Sequence, residues 1–368
     1  EPSDWRYWGS RMLFGMALYF LLARFGMALF SLQPSNITLL WLPSGVGLLM
    51  CLSAGTRALP FICLASFLAN YPGMALSSTS LQILHTAIAA CADSLAAWLA
   101  AFMLRRHLPS GLSRPFDLIP FALFVCVIPT LVSATILAGN LVLGGYIPTA
   151  SAVDFIFMLL VADSLGILLC YPLRSVWLQK RRTSLSEVLP WLLETAGVMV
   201  VAHLAFVWLP ALIFLLIPAF LYTIFRKNHL GVHLTLALTV ALIIAEAAHS
   251  LGPFQSVNAE HGHLMLVFFL FSTAMTVIGI WLQQDQLLTK QALIAEQNSQ
   301  LAKAKQKAEA ADIAKSHFLA NMSHEMRTPL HQAIAMAQLM RREAMSEKQT
   351  IRLDRLETSC RRMNGLVD

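Results

Sequence analysis

AVDFIFMLLVADSLGILLCYPL, residues 152–173, is a continuous apolar run interrupted by one aspartate near its start, Asp154, and one in its middle, Asp163. A helix of about 20 apolar residues matches the hydrocarbon thickness of a bilayer. Nine further runs of similar character flank it, at 12–32, 36–55, 58–76, 81–104, 117–143, 189–208, 211–225, 230–250 and 263–282. The run at 211–225 is separated from its predecessor by little more than Pro210. Of the 368 residues, 57% are hydrophobic and 12% charged, with a mean hydropathy of +0.65. Soluble domains average about 25% charged residues, so most of this chain belongs in lipid.

The connections between runs test this reading. Alternate loops carry Arg57; then Arg105, Arg106 and Arg114; then Arg174, Lys180, Arg181 and Arg182; then Arg226 and Lys227. The intervening loops, near 33–35, 72–80, 144–151, 209–210 and 251–262, hold neither Lys nor Arg. Basic residues favour the cytoplasmic side. The pattern therefore predicts a bundle of about ten transmembrane helices with both termini in the cytoplasm. The pI near 9.1 does not point to a nucleic-acid partner, because the basic residues of the first 282 positions fall at membrane edges. Six cysteines, at 51, 63, 91, 126, 170 and 360, form no CxxC pair, so they predict small core residues rather than a disulfide framework or a metal site. The N-terminal segment shows no cleavable signal peptide, and its start at Glu1 leaves trimming open.

Several ionisable residues fall within the runs, among them Arg24, His85, Asp93, Asp163, Glu194, His203 and Glu246. A charge at mid-bilayer costs about 2.5–3.5 kcal/mol on insertion scales, so each needs a partner or a water-lined cavity. Asp93 and Asp163 lie deepest in their runs and are the first candidates for a sensing site, with Arg24 as a third. Pro43 and Gly45 are expected to break or thin the second helix, and Gly166 to let a neighbour approach Asp163. The segments Trp41-Leu-Pro-Ser-Gly45, Phe67-Leu-Ala-Asn70, Asp163-Ser-Leu-Gly166 with Pro172, and Gly252-Pro-Phe254 together resemble the first of the membrane-associated sensor (MASE-type) families. That resemblance adds Trp41 and Asn70 to the candidate ligand or sensing residues and implies a sensory role without naming the stimulus. The short external loops leave a membrane-derived signal or a small molecule as the stimulus.

After Leu282 the composition changes. Residues 1–282 hold 13 Lys+Arg and 10 Asp+Glu, and the remaining 86 residues hold the same numbers again. Leu287, Ile294, Leu301 and Ala308 recur every seven residues, while Lys290, Gln297, Ala304 and Ala311 fill the other half of the seam. This predicts a loose coiled coil over 283–315, suited to a change of register. Next comes SHFLANMSHEMRTPL, residues 316–330. His324 is a nucleophile near neutral pH, Glu325 beside it serves as acid or base, and Arg327 and Thr328 supply donors for phosphate oxygens or water. Pro329 is expected to disrupt the helix just past the histidine. A helix to about Met345, with Ile334, Leu339 and Met340 on its buried stripe, then a polar break at Ser346-Glu-Lys-Gln, precede a second amphipathic helix. Its core candidates are Ile351, Leu353, Leu356, Met363 and Leu366.

The box from Ala311 to Leu339, above all SHEMRTPL, is similar to the phosphoacceptor box of hybrid-type sensor histidine kinases. The resemblance implies that His324 takes the γ-phosphoryl group of ATP and passes it to a receiver aspartate, with Glu325 as the acid/base helper. It also implies that Thr328 orients the water that hydrolyses a receiver's phosphate. By the same resemblance two hairpins from a homodimer close a four-helix bundle in a bacterial inner-membrane protein. The expected organisation is an all-α chain: sensor domain 1–282, coiled-coil signalling helix 283–315, and an incomplete dimerisation and phosphoacceptor domain 316–368. No Gly-rich phosphate loop follows the box, so these residues are expected to bind no cofactor and to be inactive alone, ATP and Mg²⁺ belonging to a longer parent. A transporter or membrane enzyme with a fused regulatory segment is the alternative, disfavoured because no internal repeat or paired broken helices are evident.

Overall fold

A computed structural model of the chain describes residues 5–32, 37–75, 78–178, 185–226, 229–256, 259–342 and 346–367. The loop residues Lys180, Arg181, Arg182 and Lys227 of the charge argument lie outside the described residues. The chain divides into two compact units, Glu1–Leu288 and Thr289–Asp368.

The first unit is a helix bundle: α1 (Trp5–Leu29), α2 (Leu42–Ala54), α3 (Leu59–Asn70), α4 (Thr79–His107), α5 (Leu118–Pro120), α6 (Ile128–Leu143), α7 (Ala152–Leu178), α8 (Leu185–Val207), α9 (Leu216–Phe225), α10 (His229–Ala248) and the first part of α11 (Ala259–Met340). Among the described residues, eight helical segments are long and apolar enough to cross a membrane, and Pro210–Phe225 is a shorter apolar one. The second and third predicted runs share one of the eight, Leu42–Met74.

Contacts show that this segment doubles back. The Arg105 guanidinium, near the end of α4, donates to the Cys51 and Leu52 carbonyls at 3.0 Å each, and Gly47 packs on Ala97, so α2 runs alongside α4 in the same direction. Ser66 meets Asp93 at 2.6 Å and Gln82 reaches the Tyr71 carbonyl at 2.8 Å, so α3 runs against α4. The reversal occurs at Gly55, whose φ of 62° lies in the left-handed region that a side chain disfavours.

Two expectations for α2 are corrected. The residues ahead of it are extended, Ser31 and Leu32 pairing antiparallel with Thr38 and Ile37, so the helix starts at Leu42 rather than near 36. Pro43 stands in its first turn, where a missing N–H costs nothing, and so begins the helix instead of breaking it. Gly45 serves packing: a Cβ there would collide with Cys170 and the Gly166 carbonyl, and one on Gly166 would collide with the Trp41 carbonyl. These two glycines let α2 and α7 cross at backbone contact.

Between α5 and α6 the chain is π-helical over Phe121–Val127, bracketed by Pro120 and Pro129. Pro129 has no N–H for the Val125 carbonyl, which favours this wider turn. Further along, α8 and α10 lie side by side in the same direction. Trp191 Nε1 donates to the Gly231 carbonyl and to Thr235 Oγ1, both at 3.1 Å, and His203 meets Glu246 at 2.6 Å. The opening of α11 buries Leu266, Val267, Leu270, Ala274, Val277, Ile278 and Trp281 along one stripe, with the Trp281 ring 4.3 Å from that of His233.

The second unit holds the rest of α11 and the antiparallel α12 (Glu347–Val367). The helix passes through Pro329 and ends at Met340, five residues before the expected end and without the expected disruption at the proline. Ser346 caps α12: its N–H and hydroxyl each donate to Gln349 Oε1 at 2.9 Å, while the Gln349 N–H returns to the Ser346 carbonyl at 2.9 Å. The predicted polar break is thus a helix start. Ala337, Leu353 and Cys360 are the buried apolar contacts of the hairpin. Leu339, Met340, Ile351, Leu356, Met363 and Leu366, expected in the core, are exposed in the single chain. Two helices cover only their facing stripes, so the wider apolar face of each remains outward.

Candidate functional site

Two sites arise, one in each unit. In the bundle, five helices or their approaches send polar side chains to one place. Ser44 Oγ, on the first turn of α2, donates to Asp163 Oδ1 of α7 at 2.9 Å. Ser66 Oγ of α3 and Tyr19 Oη of α1 donate to Asp93 Oδ2 of α4, at 2.6 and 3.4 Å. Asn70 Nδ2 holds both the carbonyl and the hydroxyl of Ser66 at 3.1 Å, fixing the serine's rotamer. The Trp41 N–H donates to the Ala162 carbonyl, next to Asp163, at 3.3 Å. Asp93 and Asp163 are near enough to feel each other's charge, and Tyr19 feels both.

The glycines of α2 and α7 create this site. Only with Gly45 and Gly166 at the crossing does Ser44 come within reach of Asp163. Tyr19 and Ser66 are 1% and 0% exposed and Asp163 7%, while Asp93 is half-buried, so Asp163 above all meets a hydroxyl donor rather than bulk water. The partners recorded for them are neutral. Such a site suits a proton or a small ligand that supplies positive charge or hydrogen-bond donors.

Of the predicted sensing residues, Trp41, Asn70, Asp93 and Asp163 come together here. Arg24 does not: it is exposed, and its Nη1 donates to the Ala69 carbonyl near the end of α3 at 3.4 Å. Sequence reasoning missed Tyr19, Ser44 and Ser66. Ser44 lay inside the Trp41–Gly45 motif and Ser66 just ahead of Phe67-Leu-Ala-Asn70, whereas an aromatic such as Tyr19 in an apolar run carries no signal. His85, Glu194, His203 and Glu246 have separate partners. His85 Nδ1 meets Asn140 Oδ1 at 2.8 Å, Glu194 pairs with Arg226 at 3.1 Å, and His203 pairs with Glu246.

In the second unit His324, Glu325, Arg327 and Thr328 are all exposed on α11. The Thr328 hydroxyl donates to the His324 carbonyl at 3.3 Å, one turn back. Pro329 cannot donate to the Glu325 carbonyl four residues before it, which leaves that acceptor beside His324 without its usual intrahelical bond. His331, seven residues beyond His324, faces α12 instead, 3.4 Å from Asn364 Nδ2. An exposed imidazole on a rigid helix, with a carboxylate next to it and a hydroxyl one turn on, can attack an approaching electrophile and hand the acquired group on.

Comparison with known proteins bears on both sites. Residues 11–286 match the model of the MASE1 family, and residues 314–368 match that of the His Kinase A (phospho-acceptor) domain. "Sensor histidine kinase AruS" of Pseudomonas aeruginosa is 47% identical over 66 residues, which cover 18% of this chain and 7% of that protein. The chain thus spans a small part of that curated relative's length. No solved structure matches the chain significantly.

Proposed function

The chain belongs to the MASE1 family and carries a His Kinase A domain, and on that premise we propose that it is the sensing and phosphoacceptor part of a membrane histidine kinase. The observation that carries this is the exposed His324 imidazole within the matched phosphoacceptor domain. In this reading His324 attacks the γ-phosphorus of ATP, the P–O bond to ADP breaks, and the phosphoryl group later moves to a receiver aspartate. Glu325 takes the imidazole proton and keeps the attacking nitrogen free, Arg327 steadies phosphate oxygens, and Thr328 orients the water that hydrolyses a receiver's phosphate. A catalytic domain supplies ATP and Mg²⁺, whose cations offset charge as the phosphoryl group transfers.

Several further assignments rest on the sequence. The loop charges support a bacterial inner membrane with both termini cytoplasmic. The seven-residue seam and the outward apolar faces of the hairpin support a homodimer. The composition change supports a sensor domain over 1–282, a signalling helix over 283–315 and the phosphoacceptor domain over 316–368. The site around Trp41, Asn70, Asp93 and Asp163 is the place we assign to the stimulus.

Phosphohistidine labelling tests the proposal. Membranes bearing the chain are mixed with a histidine-kinase ATP-binding domain and Mg-ATP. The label is expected to be acid-labile and base-stable, as a phosphoramidate is. His324→Gln abolishes it and His331→Gln retains it. Label that survives the loss of His324 overturns the assignment.

A further inference from the structure

At one end of the bundle the chain gathers guanidiniums without gathering acids. Arg57 lies in the tight turn Gly55–Ala58 that joins α2 to α3 and packs against α4, and Arg105 and Arg106 stand in the last turn of α4. Arg105 donates to the Cys51 and Leu52 carbonyls at 3.0 Å each, which holds the end of α4 against that turn. The Ser66–Asp93 contact sets the antiparallel register of α3 on α4, so Arg57 comes level with Phe102, one turn before Arg106. Arg57 and Arg106 are exposed, and among the described residues no carboxylate pairs with either of them or with Arg105. The acid that follows along the chain, Asp117, is already held by the Ser113 and Arg114 N–H groups and the Ser113 hydroxyl. Each exposed arginine also ends an apolar line. Pro60, Leu64 and Leu68 follow Arg57 at helical spacing, and Leu95 and Phe102 precede Arg106 at the same spacing, all of them exposed. These lines lie within spans, where acyl chains cover them, and the arginines stand where headgroups begin.

We propose that the adjoining ends of α3 and α4 form a site for an anionic phospholipid, with its phosphate at Arg57 and Arg106 and its acyl chains along Leu64, Leu68, Leu95 and Phe102. A guanidinium presents paired N–H donors that match phosphate oxygens. Attraction of a basic side chain to an anionic lipid surface strengthens binding by about fivefold per residue. Arg105, tied to two carbonyls, is a positioning residue that keeps the two helix ends together. A zwitterionic lipid carries an ammonium beside its phosphate and gains less from the two arginines. A free phosphate ester shares the headgroup chemistry but leaves the apolar lines bare. The site needs only the membrane bundle and is independent of what His324 does.

The test titrates the 368-residue chain, in neutral detergent micelles, with phosphatidylglycerol, phosphatidylcholine or glycerol 3-phosphate, and counts bound lipid by native mass spectrometry. The expected result is a first phosphatidylglycerol that binds about tenfold or more tighter than phosphatidylcholine and is not displaced by excess glycerol 3-phosphate. Arg57→Gln combined with Arg106→Gln weakens that lipid by about 25-fold, the product of two fivefold losses. Arg57→Lys combined with Arg106→Lys keeps both charges and recovers most of the affinity. Unchanged helix content by circular dichroism qualifies each variant. If the double glutamine variant does not fold, Arg57→Gln alone carries the test with its expected loss of about fivefold. Affinity unchanged in the glutamine variants, equal affinity for phosphatidylcholine, displacement by glycerol 3-phosphate, or graded uptake of many lipids without a tight first one would each overturn the proposal.

Discussion

Asp163 and Asp93 lie in one site and accept hydrogen bonds from the neutral hydroxyls of Ser44, Ser66 and Tyr19. Asp163→Asn keeps the shape and leaves Ser44 an oxygen to donate to, while removing one ionisable group. The variant is expected to insert and fold normally and to change His324 phosphorylation by about fivefold or more in the presence of a catalytic domain, a coupling of ordinary allosteric size. Arg24→Met, at an exposed position with one 3.4 Å contact, is expected to change it little. Equal effects of the two substitutions would return Asp163 to a structural role. At this scale the sequence was partly legible. A carboxyl in an apolar run advertises itself by its cost in lipid, and for the same reason Arg24 advertised itself misleadingly. Serine and tyrosine cost little there, so Ser44, Ser66 and Tyr19 were silent until the helices were placed.

Elements were legible where a single rule applies and opaque where two compete. The apolar runs located the helices, because length and hydropathy alone decide a span. Proline was harder. Pro43 begins a helix, Pro129 borders a π-helical turn, and Pro329 is carried inside a helix, outcomes that depend on which carbonyl and which neighbour each meets. The polar segment after Met345 was read as a break, though its Ser346–Gln349 pair is a capping box. In the same hairpin, Arg361 holds Glu357 at 2.7 Å and Arg341 holds it at 3.4 Å while also pairing with Asp354. The hydrogen bond from Arg361, with the charges of Arg361 and Arg341, keeps the Glu357 carboxyl below its ordinary 4.5 against the opposing effect of burial. Because the folded state depresses this value, the stabilisation is present above pH 4.5 and is lost as pH falls through the folded value. Amide exchange over 347–367 checks this. The excess protection of wild type over Glu357→Gln should be full at neutral pH and vanish in acid. A difference that persists at pH 2 would contradict the network.

For the whole molecule, composition divided membrane from polar sequence near residue 283, and the compact units divide after Leu288. What composition does not carry is a partner chain. Leu287, Ile294 and Leu301 are 44%, 55% and 69% exposed, a costly display of apolar surface at regular spacing. If two copies meet in parallel, Ile294→Cys and Leu301→Cys should each give disulfide-linked dimers in membranes under mild oxidation. Lys303→Cys, two positions off the seam, should not. Crosslinking at 303 as ready as at 294 and 301, or none at either seam position, would rule out this seam.

The Arg105 bonds to the tip of the α2–α3 turn also bear on biogenesis. At 1.5 Å per residue the 13 residues of α2 and the 12 of α3 each reach only about 20 Å, too short to be accepted by the insertion machinery as a span in its own right. They have to enter lipid as one unit. The carbonyls of Cys51 and Leu52 receive their guanidinium only from the far end of a helix synthesised some fifty residues later. The Gly55 N–H caps the Cys51 carbonyl within the turn itself, so what Arg105 adds is a tie between the hairpin tip and the end of α4.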